Sequence, residues 1–291
     1  MTTRPLRTIA GGFRRLLIFT GADRMIPLCS RGASTRSVWA HLVPSHQLYS
    51  QPTIRQLTSQ GIRFELDVSD YMEWCTYFGL AIEPREALWK LVKPDATVVD
   101  VGVNIGETLM NIARLVGEGG RVFGFEVNPR TLKKCQRNLS LNAFRNIALH
   151  GVGLGRSPGR LRIFSPSLRN SGGDRLRDLG EDAGGAARTV AVTTLDAFAT
   201  EHGLAHVDLI KIDVEGFEMN VIAGALETLR RDHPVLFVEL DDANLREQGS
   251  SAASLVAFLE SLAYSVTSAE TELPVSSRDD LSSSHFDIIC T

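Results

Sequence analysis

Three ionisable residues interrupt a run that otherwise belongs inside a fold: Val207-Asp208-Leu209-Ile210-Lys211-Ile212-Asp213-Val214-Glu215-Gly216-Phe217-Glu218. Burying an unpaired charge is costly, so Lys211 requires a carboxylate, with Asp213 and Glu218 as the candidates. In a regular strand Lys211, Asp213 and Glu215 share one side, and Ile212 and Val214 take the other. Acids at the C-terminal tip of such a strand stand where open α/β sheets bind ligands. There they can face a bound ligand or form a structural ion pair. Asp213 is the first candidate for base or ammonium partner. Glu215 comes next, with Glu239, near the end of the apolar run Pro234–Leu240.

A glycine loop supplies the second constellation. Val99-Asp100-Val101-Gly102-Val103-Asn104-Ile105-Gly106-Glu107-Thr108 runs from a strand into a helix. Gly102 permits a tight turn and close backbone approach to a ligand, and Gly106 lets the helix start lie against the strand. Free N–H groups at that start favour an anion such as a carboxylate. Asp100 either orients the loop or meets a ligand's ammonium through water. Asn104 and Thr108 either bind the carboxylate or cap the helix. Further on, Phe125-Glu126-Val127-Asn128-Pro129 ends the neighbouring strand. Glu126 lies 24 positions after Gly102, where an acid accepts hydrogen bonds from both ribose hydroxyls. Loop and acid together point to an adenosine-type cofactor. The G-x-x-x-G spacing, in place of G-x-G-x-x-G, tilts the choice away from nicotinamide and flavin.

A metal reading is weaker. Asp213, Glu215 and Asp241 could gather Mg²⁺, but their spacing does not demand it. His202 and His206 are four apart, yet Gly203 breaks the helix that would align them, so both read as loop histidines. His150, inside a strand, reads as packed core rather than base.

The elements that must position these residues fall into three regions. Residues 1–60 read as a partly ordered basic arm, with eight Arg against one acid, Asp23, and no sustained period. Residues 61–93 open with the alternating strand Ile62–Val68 and continue into a helix-like stretch around Glu86, Ala87, Leu88 and Leu91. From residue 94 to 291 short apolar runs alternate with amphipathic segments, the pattern of βαβ units and a mostly parallel sheet. The runs are Thr97–Val101, Arg121–Val127, Ile147–Val152, Val207–Val214 and Pro234–Leu240. Helical stripes lie between and after them: Leu109, Ile112, Ala113, Val116; Met219, Ile222, Leu226, Leu229; Leu255, Phe258, Leu259, Leu262. Arg156–Val190 reads as one short strand, Arg160–Phe164, and then a long loop. Tyr264–Thr267 and Phe286–Cys290 read as a closing hairpin.

The chain has 291 residues, 43% hydrophobic and 22% charged, with a net charge of −3. That balance gives no reason to expect nucleic acid or a membrane as the main partner. Leu16–Thr20 is too short to span a bilayer and is no secretory core. Cys29, Cys75, Cys135 and Cys290 form no C-x-x-C pair, which fits reduced thiols in a cytoplasm.

Val99–Gly106 and Phe125–Pro129 resemble the first two motifs of class I methyltransferases. Thr194-Leu195-Asp196, followed by Ile210–Glu218, resembles the hallmark of the FkbM family. The likeness covers about residues 78–267, and Gly61–Tyr71 is similar to the strand that often precedes the family's core. Asn170-Ser171-Gly172-Gly173 is similar to a loop near its cofactor. The resemblance implies a Rossmann-like α/β fold, a mostly parallel seven-stranded sheet with helices on both faces and a C-terminal antiparallel hairpin. It also implies methyl transfer from S-adenosyl-L-methionine to a hydroxyl oxygen, on a sugar, glycan, glycolipid or natural product. The implied cofactor residues are Asp100, Gly102, Asn104, Gly106, Thr108, Glu126, Asn128, Gly153, Leu154 and Asp213. Two departures stand out. Gly153-Leu154-Gly155-Arg156 replaces the usual Ala-Leu-Ser-Asp, leaving adenine to backbone groups. Glu239 is followed by Leu240-Asp241-Asp242 where the family commonly has a histidine. The competing readings are a nicotinamide-dependent oxidoreductase and a non-catalytic scaffold that keeps the binding domain.

Overall fold

A computed structural model describes residues 4–27, 42–80, 85–164, 175–177 and 188–291 of the chain. Cys29 and the 170–173 loop lie outside them. The chain divides into two compact units, Met1–Ile82 with Leu168–Ser171, and Glu83–Ser167 with Gly172–Thr291.

The first unit begins with a helix, α1 (Arg4–Thr20), where the basic arm was expected to lack a period. Strands β1 (Ile54–Ser59) and β2 (Ile62–Asp67) pair antiparallel through a two-residue turn. Gln60 and Gly61 both take positive φ there, 50° and 83°, the backbone twist that suits a tight hairpin. Ile62, Phe64 and Leu66 alternate inward. Helix α2 (Tyr71–Phe78) starts at Asp70, whose carboxylate accepts from the N–H groups of Met72 and Glu73, and stops at Gly79 in the left-handed region.

The second unit is built on a seven-stranded sheet. Its elements are α3 (Arg85–Leu91), β3 (Thr97–Val101), α4 (Glu107–Val116), β4 (Arg121–Phe125), α5 (Pro129–Ser140) and β5 (Ile147–His150). After a segment of four short strands, β6 to β9, between residues 153 and 193, come α6 (Leu195–His202), β10 (Leu209–Ile212), α7 (Glu218–Ala223), α8 (Leu226–Asp232), β11 (Val235–Asp241), α9 (Asp242–Glu247), α10 (Ala252–Ser261), β12 (Val266–Ser268) and β13 (His285–Cys290). The strand order is β12-β13-β11-β10-β3-β4-β5. The five strands from β11 to β5 are parallel, and β13 inserts antiparallel between β11 and β12.

Strand alternation separates two cores. Val99, Val101, Phe123, Phe125, Ile210, Ile212, Leu236 and Val238 face one buried cluster with α6, α7, α8 and α10. Val98, Val122, Leu209 and Phe237 face the other, with Leu88 of α3 and Leu109, Ile112 and Val116 of α4. Both faces are covered, which is why these strands read as continuous apolar runs.

Two expectations change. The 156–190 stretch holds β7 (Gly159–Phe164), β8 (Arg175–Arg177) and the start of β9 (Arg188–Thr193), which with β6 (Gly153–Leu154) form a four-stranded sheet ordered β6-β9-β7-β8. Its inward residues Ile163, Val190 and Val192 join the first core. The stripe from Met219 to Leu229 is two helices rather than one, broken at Gly224-Ala225. A side chain at 224 would meet the Gly155 carbonyl oxygen at 1.9 Å, so close packing requires glycine there.

Candidate active site

The strand order reverses between β3 and β10, one leading to β4 and β5, the other to β11. Ligands of open α/β sheets bind outside the carboxyl ends at such a reversal. The register places Lys211 directly beside Asp100 on the same face. Lys211 is 2% exposed and Asp100 fully buried. The Lys211 ammonium lies 3.0 Å from Asp213 Oδ2, 3.7 Å from Asp100 Oδ1, and donates to the Gly102 carbonyl at 3.3 Å. Asp213 thus answers the charge of Lys211. Glu218, the other candidate, accepts from the N–H groups of Val214 and Gly216 and staples the turn after β10. Burial pushes the Glu218 carboxyl up to about 7 against those bonds. Burial also raises the Asp100 carboxyl, opposed by the Lys211 ammonium and then the Thr108 hydroxyl.

Gly102 and Gly106 are each held where a side chain would not fit. Gly102 has φ +84°, and a Cβ there would stand 1.8 Å from the Asp213 carbonyl oxygen. The close approach is to the backbone after β10. Gly106, φ +88°, begins α4 and lies against Cys135 of α5, whose sulfur would be 2.7 Å from an added Cβ. It packs helix on helix, in contrast to the expected helix on strand. Burial raises the Cys135 thiol, with the Glu126 and Asp100 carboxylates adding to the shift.

Glu126 is 8% exposed and anchors the loop. Its Oε2 accepts from the Asn104 N–H at 3.0 Å and its Oε1 from the Asn128 N–H at 2.7 Å. Asn104 holds a positive φ of 51°. Asn128 caps α5 through its side chain, accepting from the Arg130 N–H. Thr108 is buried in the first turn of α4. Gly153 and Leu154 form β6 beside β9. The Leu154 side chain lies in the first core, and the Gly155 N–H donates to the Thr193 carbonyl.

The three carboxylates named for catalysis end in different settings. β10 stops at Ile212, and Glu215 enters a turn with φ +54°, so the regular alternation ends at the tip. Its Oε2 accepts from the Asn244 amide at 2.8 Å. Asp213 keeps a 27% exposed side chain. Glu239 faces Asp287 across the β11–β13 ladder. Burial, followed by the carboxylates of Asp213, Glu215, Glu218 and Asp287, pushes the Glu239 carboxyl up to about 11. That shift favours the protonated form of Glu239.

Asn244 and Asp287 were missed. Nothing local marks Asn244, but Asp287 is an acid inside an apolar edge run and could have been noticed. Among the described residues no group of three or more His, Cys, Asp or Glu side chains is arranged to hold a metal ion. Asp241 instead accepts from the Asn244 N–H and pairs with His285 at 2.8 Å. His202 ends α6 and stacks on Phe198, with ring centroids 4.0 Å apart. His150 joins that aromatic stack beside Phe125, where burial lowers its pKa. His206 pairs with Asp208 and Asp232.

The residues suit S-adenosyl-L-methionine. Asn104 Oδ1, in the glycine loop, is buried and has no hydrogen-bond partner among the described residues. Buried acceptors of this kind call for donors. The cofactor carries an ammonium, a sulfonium and two ribose hydroxyls, a donor-rich and cationic set.

Sheet order, reversal point and glycine loop define the class I methyltransferase fold. The FkbM methyltransferase domain matches residues 100–266, and the chain belongs to that family. The chain is similar to the 2-O-methyltransferase NoeI of Sinorhizobium fredii, 30% identical over 181 residues, 56% of this chain and 70% of that protein. It is also similar to Methyltransferase 1 of Beauveria bassiana, 29% identical over 146 residues, 45% of this chain and 58% of that one. The crystal structure of methyltransferase FkbM from Methylobacillus flagellatus is 19% identical with a TM-score of 0.41, covering 76% of this chain and 55% of that chain. The chain thus spans little more than half the length of the last two.

Proposed function

We propose that this methyltransferase moves the methyl group of S-adenosyl-L-methionine to a hydroxyl oxygen on a sugar, glycan, glycolipid or natural product. The observation that carries the reading is the junction at the strand reversal, where Gly102 admits the backbone of Asp213 and Lys211 ties both to Asp100. The 2-O-methyltransferase relative supports the choice of oxygen.

The cofactor supplies a methyl group already activated by its sulfonium. The chain supplies position and a proton acceptor. Gly102, Asn104, Gly106 and Thr108 form the loop that receives the methionine end, and Glu126 receives the ribose hydroxyls. Asn128 holds Glu126, and the backbone at Gly153 and Leu154 borders the adenine. Fixing an acceptor oxygen in line is worth up to about 7–11 kcal/mol in favourable cases. Asp213 accepts the hydroxyl proton, because one of its oxygens is held by Lys211 while the side chain stays partly exposed. Glu215, fixed by Asn244, stands by the same rim. Glu239, in its favoured protonated form, acts as a hydrogen-bond donor there and spares the cluster a further negative charge.

The test is methyl transfer from methyl-labelled cofactor to a panel of hydroxylated acceptors, with the product bond assigned by NMR. Asp213→Asn should lower turnover by about 10²–10⁴-fold, the usual worth of a placed base. Affinity for S-adenosylhomocysteine should change only a few fold. Unchanged turnover would remove Asp213 from the role, and methylation at nitrogen or sulfur would refute the oxygen assignment.

A further inference from the structure

The chemistry above makes no use of His285. It opens β13 opposite Asp241, the last residue of β11, as the final rung of their antiparallel ladder. Residues directly opposite on such a ladder point to the same face and meet. Here His285 Nδ1 lies 2.8 Å from Asp241 Oδ2. A carboxylate oxygen accepts, so Nδ1 donates and Nε2 keeps a lone pair. The His285 side chain is 76% exposed and that of Asp241 15%, so an anchored ring presents Nε2 to a ligand.

The anchor belongs to the site. The other oxygen of Asp241 accepts from the Asn244 N–H at 2.9 Å, and the Asn244 amide donates to Glu215 Oε2 at 2.8 Å. One hydrogen-bonded line therefore runs from Glu215 at the rim through Asn244 and Asp241 to His285. Asn244 also lies against Gly216, where an added Cβ would stand 2.4 Å from its carbonyl oxygen, so close packing ties the line to the turn after β10. As the cap of α9, Asp241 uses one oxygen. Its second oxygen holds an imidazole in one tautomer and one direction, which a cap does not require.

The ladders also set how far His285 lies from Asp213. Ile212, Val238 and Ile288 are level across β10, β11 and β13, and Asp241 and His285 lie three positions further toward the rim. Asp213 is one position beyond Ile212. His285 is thus two strands across and two positions further along, roughly 12 Å away at about 4.8 Å between strands and about 3.3 Å per residue. That exceeds the spread of hydroxyls on one sugar ring. A ring whose hydroxyl meets Asp213 leaves Nε2 to a later ring of the same chain.

We propose that His285, oriented by Asp241, is an acceptor-binding residue whose Nε2 accepts a hydrogen bond from a hydroxyl on a ring beyond the methylated one. The acceptor is then an oligosaccharide chain, which rests on the oxygen-methylation reading and narrows it.

The test is calorimetric titration of the full chain, loaded with S-adenosylhomocysteine, with methyl glycosides and tetrasaccharides of glucose, mannose and N-acetylglucosamine. At least one tetrasaccharide should bind. His285→Ala should weaken it about tenfold, the worth of one hydrogen bond, and leave the single-ring glycosides unchanged. His285→Gln should recover part of the loss, because its amide oxygen can replace Nε2 as acceptor. Asp241→Asn keeps an acceptor for the cap of α9 and should weaken the tetrasaccharide several fold by releasing the tautomer. S-adenosylhomocysteine affinity should be the same in all three variants, which shows that each is folded. Loss of cofactor binding by the wild-type chain would sink the methyl-transfer reading, whereas this proposal stands or falls on the sugars. No binding of any tetrasaccharide, equal affinity in His285→Ala, or equal weakening of the single-ring glycosides would overturn it.

Discussion

Lys211→Met isolates the charge relation on which the site stands. The variant keeps the length and apolar stem of the side chain and deletes its ammonium. Asp100, with 0% side-chain exposure, then keeps a buried carboxylate with no cation beside it. Removing one partner of a buried pair costs about 3–5 kcal/mol. Asp213, 27% exposed, is partly screened and adds less. For a domain of this size the loss corresponds to a fall in Tm of roughly 6–20 °C. The charge also makes the loss pH-dependent. Burial already raises the Asp100 carboxyl, and loss of Lys211 raises it further. A group whose folded pKa is raised contributes stability fully present below its unfolded value and lost as pH rises through the folded one. The deficit should therefore be small near pH 5 and widen toward pH 8. Urea unfolding at both values measures it, and Asp100→Asn combined with Lys211→Met should recover most of the loss. A deficit under about 1 kcal/mol, equal at both pH values and unchanged in the double variant, would refute the argument.

Glu239→Gln should flatten the decline of stability with pH. Native Glu239 holds its proton up to about 11 while the unfolded chain releases it near pH 4, so its contribution is full below about pH 4 and falls as pH rises through that window. Thermal melts from pH 5 to 9 read it, and an unaltered slope would contradict the buried-acid assignment. Gly102→Ala places a Cβ against the Asp213 carbonyl and should lower cofactor affinity by well over about tenfold in calorimetric titration. Affinity within twofold would show that the backbone contact is dispensable. Asp196→Ala should cost about 1–2 kcal/mol in urea unfolding and spare turnover, because its carboxylate caps α8 through the N–H groups of Glu227 and Thr228. A large fall in turnover with stability intact would give Asp196 another task.

The parallel strands were legible because both faces are buried: Thr97–Val101 reads and folds as β3 with the same limits. β10 ends earlier than its apolar run, since the residues after Ile212 turn to let Glu218 reach the N–H groups of Val214 and Gly216. α1 carried its period in plain view at Leu6, Ile9, Phe13 and Leu16, but arginine and glycine between them made it read as an arm. β9 was lost the same way, its alternation of Val190 and Val192 following a Gly- and Arg-rich stretch. Partners distant in sequence were out of reach: no spacing rule sets Cys135 behind Gly106 or Asn244 beside Glu215. Thr194 and Asp196 stood out as a motif, yet their local work is capping, Thr194 at α6 and Asp196 at α8.

The proposed methyl transfer requires one nucleoside site at the tips of β3, β4 and β10. Calorimetric titration of the full chain with S-adenosylhomocysteine, repeated with Glu126→Ala, tests that dependence. We expect one molecule bound per chain, and at least about tenfold weaker binding once Glu126 no longer holds the Asn104 and Asn128 amides or meets the ribose. No binding by the wild-type chain, or equal affinity in the variant, would contradict it.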